Sequence, residues 1–318
     1  MSEAVLEIKN LKKHFPVKKG LFRRTVGYVK AVDGVTFTIN KGETLGLIGE
    51  SGCGKTTVGK LIMQLIKPDS GEIVIDGKHV GSLSRKELHE ARQGFQMVFH
   101  SLDPTKSILS VLAEPIKEYN LLPKEKIYDR ACELIKQVGL NEYDLQKYPH
   151  EFSGGQRQRI VVARALAMQP KIIVCDEPVS ALDVSVQAQI LNLLKRLQHE
   201  LGVSFLFIAH GMAVVKHISD RAAVMYLGKI VEIADSKELF ENCRHPYTQA
   251  LISSVPDANP HFQRERIILE GEVPNPIDPP SGCRFHTRCS RCMERCKHEE
   301  PELRDIGNGH QVACFLEQ

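Results

Sequence analysis

The stretch Thr44-Leu45-Gly46-Leu47-Ile48-Gly49-Glu50-Ser51-Gly52-Cys53-Gly54-Lys55-Thr56-Thr57 decides how this chain folds. Its first five residues form a short run of strand length, its middle is rich in glycine, and a helical pattern runs from Lys55 to Ile66 and stops at Pro68. Strand, glycine-rich loop and helix in that order fit the phosphate-binding pattern in both residues and context. Glycines let successive backbone N–H groups turn inward around phosphate oxygens, and the helix N-terminus adds partial positive charge. Lys55 is expected to bridge the β- and γ-phosphates of a nucleotide and Thr56 to hold Mg²⁺ through its hydroxyl, with Gly49, Ser51, Gly52, Cys53, Gly54 and Thr57 completing the cradle.

Outward from this stretch, Leu6 to Ile8 and Val35 to Ile39 read as strands on the N-terminal side. Lys171 to Cys175 and Ser204 to Ala209 are apolar runs of buried-strand length among the helical stretches Gln156 to Met168, Ser185 to Leu201 and Met212 to Ile218. That alternation predicts a mostly parallel sheet covered by helices. Ser84 to Tyr148 is dominated by helical patterns, most clearly Lys124 to Val138, and reads as a helical insertion. After Val255, Pro256, Pro260, Pro274, Pro276, Pro279 and Pro280 mark an extended linker into a cysteine-rich tail.

The bulk composition is that of an ordinary globular chain: 318 residues, 42% hydrophobic and 25% charged, with a net charge of +3. No stretch approaches the roughly 20 apolar residues of a spanning helix. Met1 to Asn10 carries acids and reads as a strand, not as a secretory leader, so a reducing compartment is expected. The near-neutral charge argues against a nucleic-acid partner. Five of the nine cysteines, Cys283, Cys289, Cys292, Cys296 and Cys314, lie in the last 36 residues. Without secretion, clustered thiols point to ligation more than to disulfides.

A second run, Ile172-Ile173-Val174-Cys175-Asp176-Glu177-Pro178, is an apolar strand ending in two adjacent carboxylates. The carboxyl edge of an open α/β sheet is where ligands bind. Asp176 is the expected Mg²⁺ partner, and Glu177 is placed to orient or deprotonate an attacking water. Alone, such a pair would more often cap a surface turn; the phosphate loop upstream favours the catalytic reading.

A third run, Phe152-Ser153-Gly154-Gly155-Gln156-Arg157-Gln158-Arg159, opens a helix with small residues whose N–H groups could face an anion. A second such helix start makes sense if it acts on a nucleotide held by another subunit. Here the sequence resembles the ATP-binding subunits of ABC transporters, whose signature is Leu-Ser-Gly-Gly-Gln, with Phe152 in place of the leucine. The resemblance extends through Ser180-Ala181-Leu182-Asp183, similar to the loop that couples two nucleotide sites, and to His210, which matches a switch histidine touching the γ-phosphate. Gly211 stands where relatives commonly have Asp. The resemblance also implies an aromatic for the adenine base, Phe15 or alternatively Tyr28. In Gln96-Met97-Val98-Phe99-His100-Ser101-Leu102-Asp103-Pro104, His100 takes the place of a family glutamine that touches Mg²⁺ and water, and the following residues are shortened. An imidazole can hydrogen-bond or ligate metal there, with a different reach.

His245-Pro246-Tyr247-Thr248-Gln249-Ala250-Leu251 and Gly282-Cys283-Arg284-Phe285-His286-Thr287-Arg288-Cys289 are similar to the C-terminal region of oligopeptide, dipeptide and nickel importer ATPases. Val26 to Gly34 resembles the F-type member of the ATPase pair of peptide permeases. Cys283, Cys289, Cys296 and Cys314 have five, six and seventeen intervening residues, too wide for a zinc ribbon of paired Cys-x-x-Cys knuckles. Four thiolates could enclose a [4Fe–4S] cluster, as in some relatives, with Cys292 as an alternative ligand; Zn²⁺ and free thiols are the other readings.

The resemblance implies an α/β fold: a P-loop NTPase (ABC ATPase) core with a mostly parallel sheet, an antiparallel N-terminal β region, an inserted helical subdomain and a small cysteine-rich extension. The ABC ATPase domain is expected over 1–254, with the helical subdomain at about 84–165, and the linker and extension over 255–318. It further implies an ATP-hydrolysing subunit of a peptide importer, peripheral on the cytoplasmic face of the cell membrane. The implied partners are a second ATPase subunit in a heterodimer, two transmembrane permease subunits and an extracytoplasmic peptide-binding protein. The rival readings are a nickel or other small-solute importer ATPase, a degenerate regulatory nucleotide-binding subunit, and a soluble ABC ATPase of DNA repair or translation.

Overall fold

A computed structural model of the chain describes residues 3–20, 24–98, 101–255 and 266–318; the expected site residue His100 lies outside them. In chain order the elements are β1 (Ala4–Lys19), β2 (Arg24–Asn40), β3 (Thr44–Ile48), α1 (Lys55–Ile62), β4 (Ser70–Ile75), β5 (Lys78–His79), α2 (Arg85–Ala91), β6 (Phe95–Val98), α3 (Ile108–Glu118), α4 (Ile127–Gln137) and α5 (Gly154–Leu166). There follow β7 (Ile172–Asp176), α6 (Val184–Leu201), β8 (Ser204–Ala209), α7 (Met212–Ile218), β9 (Arg221–Tyr226), β10 (Lys229–Asp235), α8 (Ser236–Asn242), α9 (Pro246–Ser253), α10 (Glu294–His298), β11 (Arg304–Asp305) and β12 (Gln311–Val312). No helix among the described residues is long and apolar enough to cross a membrane.

The chain divides into two compact units that interleave in sequence. The first comprises Met1–Leu6, Thr38–Thr44 and Val74–Ile208. In it β6, β7 and β8 run parallel, with Val98 opposite Cys175 and Asp176 opposite Ile208. Every residue of β7 and β8 is buried, as both faces of a helix-covered parallel sheet require. The helical region expected between the halves is present, with a correction: Phe95–Val98 within it is the strand β6, whose four residues are too few to show a period. In α3, Ile108, Val111, Leu112 and Ile116 form one buried stripe, and in α4 Ile127, Ala131, Leu134 and Ile135 form another.

The second unit comprises Glu7–Phe37, Leu45–Ile73 and Ala209–Gln318. Here β3 runs parallel to β9, from Leu45 opposite Arg221 to Ile48 opposite Val224. β9 turns into the antiparallel β10 through Leu227 (φ 40) and Gly228 (φ 82), the two positive angles of a tight hairpin. The tail is less loop-like than its sequence implies. Its strand β12 pairs antiparallel with β10 (Glu232 opposite Val312), and β11 pairs with β12. Strands β1 and β2 are far longer than the runs seen in sequence, β1 continuing to Lys19 and β2 beginning at Arg24. Those added positions are mostly exposed and lack alternation, so no strand signal marks them.

Candidate functional site

In the second unit, β3 delivers the chain into the glycine-rich loop and α1 begins at Lys55. Gly54 caps the helix with φ 112, and a Cβ there would stand 2.0 Å from the Ala31 carbonyl oxygen, so only glycine fits. No acidic residue occupies the first turn of α1, which leaves the positive end of the helix available to an anion. The Lys55 side chain is buried, 4% exposed, and its ammonium donates to the carbonyls of Gly49 (2.7 Å) and Glu50 (3.0 Å), with Cys53 Sγ at 3.7 Å.

His210, just beyond β8, lies with Nδ1 3.3 Å from Lys55 Nζ. Lys55 can only donate, so Nδ1 accepts and the ring proton sits on Nε2. The structure thus joins the two residues that sequence assigned to the terminal phosphate. Thr56 and Thr57 are half-buried in the first turn of α1, and Ser51 and Gly52 are exposed at the tip of the loop. Of the two candidates for the base, Phe15 in β1 is 37% exposed with Lys13 Nζ 5.6 Å from its ring, and Tyr28 in β2 is 52% exposed.

In the first unit, β7 ends at the buried Asp176, and Glu177 follows with φ 51, a left-handed angle that costs a non-glycine residue energy. The turn is held by the Glu177 N–H donating to the Ile208 carbonyl (2.9 Å) and by the Ser180 N–H (3.2 Å) and hydroxyl (3.1 Å) donating to the Glu177 carbonyl. It delivers Asp183 as the N-cap of α6. Asp183 Oδ1 accepts from the Ser185 hydroxyl (2.7 Å) and the Val186 N–H (3.0 Å), and these bonds hold its carboxyl below the usual range.

Ser153 caps α5 in a reciprocal box: its hydroxyl accepts from the Gln156 N–H (3.3 Å) while Gln156 Oε1 accepts from the Ser153 N–H (3.0 Å). Gly155 packs on α6, where an added Cβ would meet Val186 Cγ1 at 2.3 Å, and Gly154 faces Leu182 at 3.1 Å. The signature helix therefore rests on the element that carries Asp183. Phe152 is 5% exposed, so the replacement of leucine keeps a buried apolar anchor.

Cys283, Cys289, Cys296 and Cys314 line one small cavity, which Cys292 does not. Burial pushes the Cys283 thiol up to about 12, and the neighbouring Cys296, Cys314 and Cys289 act in the same direction. Among the described residues no group of three or more His, Cys, Asp or Glu side chains is arranged to hold a metal ion.

Sequence reading missed Glu50, Arg288, Tyr247, Arg284 and Asp33, which form a connected set. Arg288 donates from both terminal nitrogens to the Glu50 carboxylate (2.9 and 3.3 Å), and the Glu50 N–H donates to the Tyr247 hydroxyl (3.0 Å). Arg284 donates to the Leu227 carbonyl and to the Asp33 carboxylate, which also lies 4.0 Å from Lys229 Nζ. The spacing of four between the two arginines was visible, but nothing in it tells what they reach.

A buried lysine closed inside a glycine-rich loop beside a histidine, with a strand-end carboxylate pair and a serine-capped glycine helix start, defines an ABC-type ATP-binding protein. Comparison with known proteins agrees. A family model described as ABC transporter matches residues 32–180, and one described as the oligopeptide/dipeptide transporter C-terminal region matches residues 231–296. The oligopeptide transport ATP-binding protein AppF of Bacillus subtilis is 50% identical over 99% of this chain and 98% of its own length. The dipeptide transport ATP-binding protein DppF of Escherichia coli is 46% identical over 99% and 95%. Among solved structures, the ATP-binding cassette MJ0796 bound to ADP and Pi superposes with a TM-score of 0.64 at 30% identity, covering 73% of this chain and 98% of that one. The chain belongs to the family of oligopeptide/dipeptide transport ATP-binding proteins.

Proposed function

We propose that the chain hydrolyses ATP to ADP and phosphate and so drives peptide import, as the ATPase subunit of an oligopeptide/dipeptide transporter. The contact of Lys55 with His210 inside the phosphate loop carries this reading, because it places a cation and an N–H donor where a terminal phosphate gathers charge. Lys55 exchanges its loop carbonyls for phosphate oxygens. Glu177, held at its strained angle on the strand end, takes the proton of the attacking water. Asp176, a buried carboxylate, and Thr56, a hydroxyl, are each the kind of hard oxygen donor that would hold Mg²⁺, and the ion would supply charge neutralisation for the phosphates.

Ser153, Gly154, Gly155, Gln156 and Asp183 are assigned to the nucleotide of a second ATPase subunit, in a heterodimer that sits against two permease subunits on the cytoplasmic membrane face. An external binding protein delivers the peptide. Phe15 is the proposed partner of the adenine. For the tail, Cys283, Cys289, Cys296 and Cys314 are the proposed thiolates that would hold a [4Fe–4S] cluster, a reading supported by their lining one cavity.

The test is turnover by the assembled transporter. Glu177→Gln is expected to lower hydrolysis at this site by about 10²–10⁴-fold while ATP remains bound. Undiminished turnover with this site alone active would refute the role of Glu177.

A further inference from the structure

Glu50, the second residue of the phosphate loop, has each of its polar groups engaged. Its carbonyl accepts from Lys55, its N–H donates to Tyr247, and its carboxylate receives the Arg288 fork. Two of those three partners belong to the C-terminal region, far away in sequence. An N–H spent on a tyrosine hydroxyl is not a phosphate donor, so Glu50 is an anchor of the loop and not part of its ligand-facing lining.

The anchor is built to be stiff. The Arg288 side chain is 8% exposed and pairs bidentately, an arrangement that fixes orientation as well as distance. Tyr247 is fully buried and meets Tyr226 (centroids 4.7 Å apart) and Phe285 (5.4 Å) in tilted ring contacts, and Phe285 meets Tyr226 edge-on at 5.3 Å. Phe285 lies between Arg284 and Arg288 in the chain, so one short segment supplies two arginines and an aromatic wedge. The second arginine grips the loop indirectly. Arg284 holds the Leu227 carbonyl in the β9–β10 hairpin, and the next residue there, Gly228, donates its N–H to the Cys53 carbonyl (2.9 Å). The C-terminal region therefore fastens the phosphate loop at Glu50 and at Cys53.

We propose that Arg288 is a positioning residue for ATP, holding the phosphate loop through Glu50 in the shape that receives the nucleotide, with Tyr247 as its second hold. A loop whose N–H groups all point inward sets like dipole ends against one another, and holding its ends fixed offsets that repulsion. Fixing it in advance lowers the ordering cost of binding, which appears as affinity and not as a faster chemical step. The proposal rests on the ATPase reading, and its test separates the two.

Binding of a fluorescent ATP analogue to the full-length chain, and ATPase kinetics of the assembled transporter, provide the readouts. Arg288→Ala is expected to weaken ATP binding about tenfold and to raise KM in step, with kcat within about twofold. Arg288→Lys, which keeps the charge and loses the fork, should fall between, and Tyr247→Phe should weaken binding by a smaller factor. The exchange Glu50→Arg with Arg288→Glu should recover most of the affinity. If Arg288→Ala does not fold, Arg288→Lys and Tyr247→Phe decide. Variants that bind ATP as tightly as the wild type, or that lose kcat with KM unchanged, overturn the tether while leaving the ATPase reading intact. A wild-type chain that binds no ATP overturns both.

Discussion

Gly155 shows what a single residue does in the signature helix. The sequence marks it as a small residue whose N–H could face an anion, but its packing role needs coordinates: an added Cβ would stand 2.3 Å from Val186 Cγ1. Val186 is β-branched and held to few rotamers in α6, so it cannot swing aside. Gly154 differs, since its neighbour Leu182 approaches at 3.1 Å with the end of a flexible side chain. Gly155→Ala is therefore expected to destabilise the fold by about 1–3 kcal/mol, net of the gain in helix propensity, whereas Gly154→Ala should be close to neutral. Chemical denaturation of the two variants checks the contrast, and adding Val186→Ala to Gly155→Ala should restore part of the loss. Equal stabilities would mean that α5 and α6 are not packed as described.

At the scale of elements, β3, the loop and α1 were legible because a buried strand, a glycine-rich turn and a helical period each leave an independent mark in sequence. The entry into α9 was read only as a family motif, since its physics lies in burial. His245 is 1% exposed, its Nδ1 accepts from the Tyr247 N–H (3.1 Å), and its own N–H donates to Glu232 (3.2 Å). Glu232, itself fully buried, also accepts from the Arg244 N–H and from His310 Nε2 (2.8 Å). Burial pulls His245 down to about 4; Glu232 opposes that shift and Arg291 adds to it. The folded state thus keeps His245 neutral while the unfolded chain protonates it near the ordinary value of about 6.5. This stability is fully present above about 6.5 and declines as pH falls towards about 4, by about 3 kcal/mol in all. Denaturant unfolding of wild type and His245→Asn between those limits should show a steeper pH dependence for the wild type; parallel curves would remove His245 as the cause.

Across the whole molecule, what sequence revealed and what it concealed divide by the range of the interaction. Motifs of consecutive residues, Gly49 to Thr57, Asp176-Glu177 and Ser153 to Gln156, mark the loop, strand end and helix start they form because their pattern is local. The hold of Arg288 on Glu50 spans 238 positions and leaves no trace in either segment. The tail cysteines fall between these cases: their spacing suggested ligation by four of the five with Cys292 as an alternative, and what the fold adds is which of them share a cavity. Cys283, Cys289, Cys296 and Cys314 share a cavity that excludes Cys292, although Cys289 and Cys292 form the closest pair in sequence. Cys314 is supplied from beyond the matched C-terminal region, after β12 has paired with β10 and brought the end of the chain back. If these four thiols hold a [4Fe–4S] cluster, chain purified without oxygen is expected to be brown and to carry about four irons. Cys292→Ser should keep both colour and iron, whereas Cys314→Ser should lose them. A colourless wild-type chain, or equal loss in the two variants, would leave the cavity as a packed set of protonated thiols, the state that the raised Cys283 favours at neutral pH.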